Sequence, residues 1–173
     1  MWLSRCLRPK FVHPISPALR AALLVPLFRE GRRAVYFHEK DAEHLARWKP
    51  QIVAGYLAQL MTSEAEPTHA IVVITHPGEP FTPTHRDQLW NRFRVPIFQQ
   101  IIDQRGRLIA YECEAHGALH VLNQAAALEL GELRDDACAC GKQATLLVLE
   151  DSQRTLTVTR SESVCPSAPV ATT

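Results

Sequence analysis

Residues 70–75 read Ala-Ile-Val-Val-Ile-Thr, an apolar, mostly β-branched run with no polar alternation. A strand with one wet face alternates apolar and polar residues. A run that is apolar on both faces belongs inside a parallel sheet covered on both sides. The neighbouring segments fit that reading. Asp41 caps a short helix over 42–48 that Pro50 stops, a strand follows at 51–54 and a short helix at 56–61. After 70–75, Thr82 caps a helix with Pro83 in its first turn, where the missing N–H costs nothing. That helix runs to about residue 93, with Leu89, Trp90 and Phe93 as its inner stripe, and a strand follows at 95–98. Strands and helices alternating in short units imply parallel pairing with right-handed crossovers.

Beyond Gly106 the pattern changes. Short strands are expected at 108–111, 118–122, 127–130, 145–150 and 155–159, separated by turns, as in an antiparallel arrangement. The expected fold class is therefore α/β: a partial parallel sheet with flanking helices, followed by a small antiparallel β region in which Cys113, His116, Cys138 and Cys140 are placed as for a zinc knuckle. The expected divisions are a basic N-terminal arm and helix (1–31), an α/β subdomain (32–106), a β-rich zinc-knuckle region (107–160) and a disordered tail (161–173). The tail is small, polar and proline-containing.

Residues 1–29 carry five basic side chains (Arg5, Arg8, Lys10, Arg20, Arg29) and no acidic one. Ser16 and Pro17 predict a helix over 17–30, ending at Gly31 and kinked at Pro26. On such a helix, residues 19, 23 and 27 share one face and 20, 24 and 28 the next, a stripe wide enough to dock on a sheet. Residues 33–37 read as a buried strand. The net charge is only +1, so no bulk electrostatic case for nucleic acid exists. The longest apolar run, 21–28, is interrupted by Pro26 and falls far short of the ~20 residues that span a bilayer. Neither a membrane role nor a secretory signal is expected. A reducing, cytoplasmic setting is the expectation, and five cysteines there point to thiols or metal ligands before disulfides.

Four residues fall into two close pairs: Cys113 with His116, and Cys138 with Cys140, followed by Gly141. Three thiolates and one imidazole are a donor set for tetrahedral zinc, and each pair can bind from a single turn. His120 is the rival to His116 for the nitrogen position. With four protein ligands the site would be structural, because a catalytic zinc keeps an open position. Cys6 and Cys165 stand apart. The stretch from His38 to His44 reads as a charged loop capping a helix.

Between Arg32 and Lys142, the passages Trp48–Tyr56, Thr75–Pro83, Val95–Phe98, Ala110–His116 and Cys138–Gly141 occur in an order that resembles the phenylacetate–CoA ligase-like branch of the adenylate-forming (acyl-CoA synthetase) enzymes. Trp48 to Tyr56 resembles that family's "KP…GYP" passage, and Thr75 to Pro83 its "TGEPLTP" loop. Val95 to Phe98 resembles "VPVF", Ala110 to His116 "YECxxH", and Cys138 to Gly141 "CxCG". The resemblance implies an acyl and adenine pocket beside Gly78 and Glu79. The family also carries a tyrosine-glycine-serine/threonine-threonine-glutamate loop, whose tyrosine packs on adenine and whose glutamate helps hold magnesium. In register this sequence reads Ile101-Ile102-Asp103-Gln104-Arg105. An arginine repels Mg²⁺, which takes oxygen ligands. No glycine precedes Gly31, so the flexible phosphate loop is missing as well.

The expectation is thus a non-catalytic, zinc-binding relic of an adenylate-forming domain, with zinc but neither ATP nor magnesium. Gly78 and Glu79 would form a vestigial pocket, and no residue is assigned a catalytic role. Such a module would act through a protein partner or as a homo-oligomer. Two alternatives stand beside it: a component of an AMP-forming acid–CoA ligase completed by another polypeptide, and a small-molecule carboxylate binder.

Overall fold

The computed structural model describes residues 8–38, 41–116 and 118–149. Five parallel strands come first: β1 (Ala21–Leu23), β2 (Ala34–Tyr36), β3 (Ile52–Tyr56), β4 (Ala70–Thr75) and β5 (Ile97–Ile102). Four antiparallel strands follow: β6 (Leu108–Glu112), β7 (Leu119–Val121), β8 (Gly131–Ala137) and β9 (Gln143–Leu149). All nine belong to one sheet in the order β2-β1-β3-β4-β5-β6-β7-β9-β8. The α/β reading therefore holds, with a parallel part leading into an antiparallel one. The sheet runs unbroken across residue 106.

Three helices, α1 (Ala42–Trp48), α2 (Leu57–Thr62) and α3 (Pro83–Phe93), connect the parallel strands. The strands alternate between two cores. On one face Ala22, Val53, Ile71, Val73 and Ile97 meet Leu45, Leu60 and Leu89, one from each helix. On the other, Leu23, Ala54, Val72, Ile74 and Phe98 meet Phe11, Val25 and Phe28. The second layer is thus irregular chain, from the N-terminal arm and the β1–β2 connection. Together the two layers explain why all six residues of β4 are buried. Thr82 caps α3 as its sequence predicts, its hydroxyl accepting from the His85 amide. A third core, built on Ile101, Ile109, Leu119 and Leu147, lies under the antiparallel half. It also takes in Ala127 of the one-turn helix α4 (Gln124–Ala127).

Three expectations need correction. Residues 17–30 do not form a helix. Their centre is β1, hydrogen-bonded between β2 and β3, and Ala21, Ala22 and Leu23 are fully buried. Small residues at 21 and 22 fit a strand covered on both faces, and Pro26 removes the N–H that a helix would need. Pairing on both sides outweighs the helical propensity of this segment. Its apolar residues still pack against the sheet, but as strand and turn.

The strand expected at 127–130 is instead the end of α4 and a turn, with Asn123 capping the helix through the Ala126 amide. The strand lies later, at β8, whose alternation is hidden because most of it is exposed. Finally, the strand expected at 95–98 begins at Ile97 and reaches Ile102, so Ile101 and Ile102 are sheet residues. The loop beyond them is a tight turn held by Asp103, which accepts from the amides of Arg105 and Arg107 and pairs with the Arg107 guanidinium. The strand expected at 155–159 and the tail at 161–173 lie outside the described residues. Among the described residues no helix is long and apolar enough to cross a membrane.

Phe28, 1% exposed, packs edge-on against Phe11. Phe28→Ala should cost about 3–5 kcal/mol in urea unfolding, a loss that a peripheral membrane-surface segment would not produce. In the same arm, burial and then the positive charge of Arg33 hold His13 below the usual imidazole value. The unfolded chain therefore takes up that proton first. The stability tied to neutral His13 is complete above about pH 6.5 and is lost as the pH falls through the depressed value. His13→Gln should flatten this part of the pH–stability curve, read as urea midpoints from pH 7.5 downward.

Candidate metal centre

Cys113 directly follows β6, and the chain turns at once, the His116 amide bonding to the Cys113 carbonyl at 2.9 Å. The returning strand β7 pairs antiparallel with β6, placing His120 opposite Tyr111 and stacked on its ring at 5.2 Å. Side chains alternate along a strand. Leu119 and Val121 enter the third core while His120 points to the other face.

The remaining two donors lie at the tip of the β8–β9 hairpin. Cys138 N–H bonds to Lys142 O at 3.0 Å and Gly141 N–H to Cys138 O at 2.8 Å, closing a tight turn. Gly141 sits at φ 82°, in the left-handed region that favours glycine. β9 pairs with β7 through His120 and Leu146, which carries the hairpin tip to the end of β6.

These elements bring together Cys113, His120, Cys138 and Cys140, with all four donor atoms within 4.8 Å of one another. Cys113 Sγ lies 3.6 Å from Cys138 Sγ, and Cys140 Sγ lies 3.6 Å from His120 Nε2. A tetrahedron with zinc-type bond lengths has S···S edges of about 3.8 Å and S···N edges of about 3.6 Å. Both spacings fit that figure, and 3.6 Å is far too long for a disulfide. Cys113, Cys138 and His120 are buried and Cys140 is half-buried. The chemistry of the donor set thus fits a soft or borderline divalent metal with every position filled by protein.

The electrostatics of the four groups differ. Burial, joined by the neighbouring thiols, pushes the Cys113 thiol up to about 12. The Lys142 backbone amide pulls the Cys140 thiol below its ordinary value. Burial and then the Lys142 charge lower His120, which leaves a neutral imidazole able to donate a lone pair. A bound cation would deprotonate the buried thiol outright.

The sequence expectation placed His116 in the set, and the structure places it elsewhere. Its Nδ1 is 2.8 Å from Glu112 Oε1, and its ring stacks on Phe98 at 4.2 Å. Glu112 is itself fixed from three sides. Its other oxygen accepts from Arg86 Nη2 at 2.9 Å and from the Gln99 amide at 3.1 Å. This buried network joins α3, β5 and β6 directly behind Cys113. It has no sequence signature, because Arg86 and Glu112 are 26 residues apart and nothing in the spacing links them.

Gly78 and Glu79, expected as a vestigial pocket, form a turn at the end of β4. Gly78 takes φ 82°, and the Glu79 carboxylate accepts from the His76 amide at 2.9 Å. Beside it, His76 Nδ1 meets the Ile102 carbonyl at 3.2 Å. That oxygen only accepts, so Nδ1 carries a proton, and Nε2 lies 3.1 Å from the Tyr56 hydroxyl. Farther along, the Asp41 carboxylate accepts from the His38 amide, and the His44 ring packs edge-on against Phe37. Asp41 stands at the N-cap position of α1, but its side chain bonds this preceding amide and caps no helical N–H. Cys6 and Cys165 lie outside the described residues. No protein-family model matches this chain, and no curated protein matches it.

The two histidines should separate cleanly. His120→Ala should lose stoichiometric metal after growth in zinc-supplemented medium. His116→Ala should keep it, while losing about 1–3 kcal/mol of stability from the broken pair with Glu112. Elemental analysis and urea unfolding of the two variants check both halves.

Proposed function

We propose that this chain is a non-catalytic accessory or interaction module whose antiparallel half is held by structural zinc. The observation that carries this reading is the closed Cys113, His120, Cys138, Cys140 cluster, which has four protein donors and leaves no coordination position for a substrate. The ordered run of motifs from Trp48 to Gly141 supports descent from an adenylate-forming, phenylacetate–CoA ligase-like α/β region. The positions that would serve a nucleotide support the loss of that chemistry. Ile101 and Ile102 are 3% and 0% exposed and offer no ring to adenine. Arg105 stands where a magnesium-binding carboxylate is needed, in a turn organised by Asp103. We place the module in the cytoplasm, working through a protein partner or a second copy of itself.

Purified protein should contain one zinc per chain. Chelation should lower its melting temperature, because structural zinc binding is coupled to folding. Cys113→Ser should reproduce the chelated state without chelator. Incubation with Mg²⁺-ATP, labelled pyrophosphate and aryl or fatty acids should give no exchange above a no-protein blank. Magnesium-dependent exchange abolished by Glu79→Ala would overturn the non-enzymatic reading.

A further inference from the structure

The parallel strands run in the order β2-β1-β3-β4-β5, so the chain leaves β1 in one direction for β2 and then crosses back to β3. In open α/β sheets, ligands bind outside the carboxyl ends of the strands where the order reverses. Here that point lies between β1 and β3. A cavity of about 420 Å³ occupies the place. Its walls come from Leu24 just after β1, Phe37 just after β2, Leu45 of α1 and Gln59 of α2, which follows β3. The volume falls in the usual range of small-molecule pockets. A Cβ on Gly55 of β3 would meet Leu24 Cβ at 3.1 Å, so the bare backbone there lets Leu24 pack close against β3.

The lining selects by charge. Phe37, Leu45 and Ala65 are buried apolar surface. The polar groups nearby already bond within the protein. Gln59 donates to the Leu24 carbonyl and accepts from the Tyr56 amide, the Thr62 hydroxyl donates to the Ala58 carbonyl, and the Ser63 hydroxyl accepts from the Ala65 amide. Among the described residues no lysine or arginine lines the cavity; its titratable side chains are His38 and Glu64, the latter exposed. A phosphate or carboxylate would meet the Glu64 carboxylate with no lysine or arginine among the described lining residues to offset it.

We infer that the cavity between α1 and α2, at the β1/β3 reversal, binds a small aromatic molecule that is neutral or cationic. The inference is independent of the zinc reading, since the cavity and the Cys/His cluster share no residue. Three probes with one ring system test it: indole, tryptamine and indole-3-acetate. They are titrated into the full-length, metal-loaded chain and followed through the assigned methyl resonances of Leu24, Leu45 and Ala65. Indole and tryptamine should shift these signals saturably, with tryptamine about three-fold tighter than indole-3-acetate. Glu64→Gln should erase that difference. Ala46→Trp, at an exposed lining position of α1, should abolish the shifts while leaving the melting temperature within a degree or so of wild type. No saturable shift in wild type, equal or tighter binding of indole-3-acetate, or unchanged titrations in Ala46→Trp would each overturn the inference.

Discussion

Strand β5 pairs in opposite senses on its two sides, parallel to β4 and antiparallel to β6, and both halves of the sheet hang from it. All six of its residues are buried. A strand in that position must satisfy two ladders of different geometry at once. The register shift between Ile101 and Ile102 lies on the antiparallel side, just before the turn. Glu112 locks the seam from the β6 side by bonding the Gln99 amide of β5 and the Arg86 guanidinium of α3. A buried carboxylate is costly unless its oxygens are satisfied. Here each oxygen has at least one partner, so the seam is held by directional bonds as well as by apolar packing.

From that seam outward the antiparallel half thins. β7 is three residues long and meets β9 at two registered pairs. The β8–β9 hairpin therefore extends well beyond its strand contact with the rest of the sheet. The Cys/His cluster compensates, because Cys113 directly follows β6 and His120 lies in β7 while Cys138 and Cys140 belong to the hairpin tip. A metal held by these four residues would cross-link segments distant in sequence, the arrangement in which closing a loop limits the unfolded chain most.

What the sequence disclosed, and what it hid, follows from which forces are local. Ala70–Thr75 was legible because burial on both faces demands an unbroken apolar run. Cys113, Cys138 and Cys140 were legible because closely spaced thiols are a ready donor set for a metal. The choice between His116 and His120 was not local. Both follow Cys113 closely; pairing of β7 with β6 and β9 sets His120 beside the thiols, while Glu112, held by the distant Arg86, engages His116. The segment at Ala21–Leu23 was hidden for the same reason. Its apolar spacing suits a helix, and only the partners on either side make it a strand. That hidden strand is also what creates the reversal of strand order. The crevice beside Leu24 therefore has no signature in a reading that makes residues 17–30 a helix.

The two ends of the sheet are unlike its middle. At one end β2 is only three residues long. At the other, β8 carries Glu132, Arg134, Asp135 and Asp136 on a largely exposed strand, and Gly131 lies so close to the Val148 carbonyl that a side chain there would collide with it. A short or densely charged border is a poor template for the backbone of a further strand. Among the described residues, then, neither border invites the sheet to grow by adding a copy of itself. At either described border, selectivity toward another chain would lie in surface chemistry instead of in shared backbone hydrogen bonds.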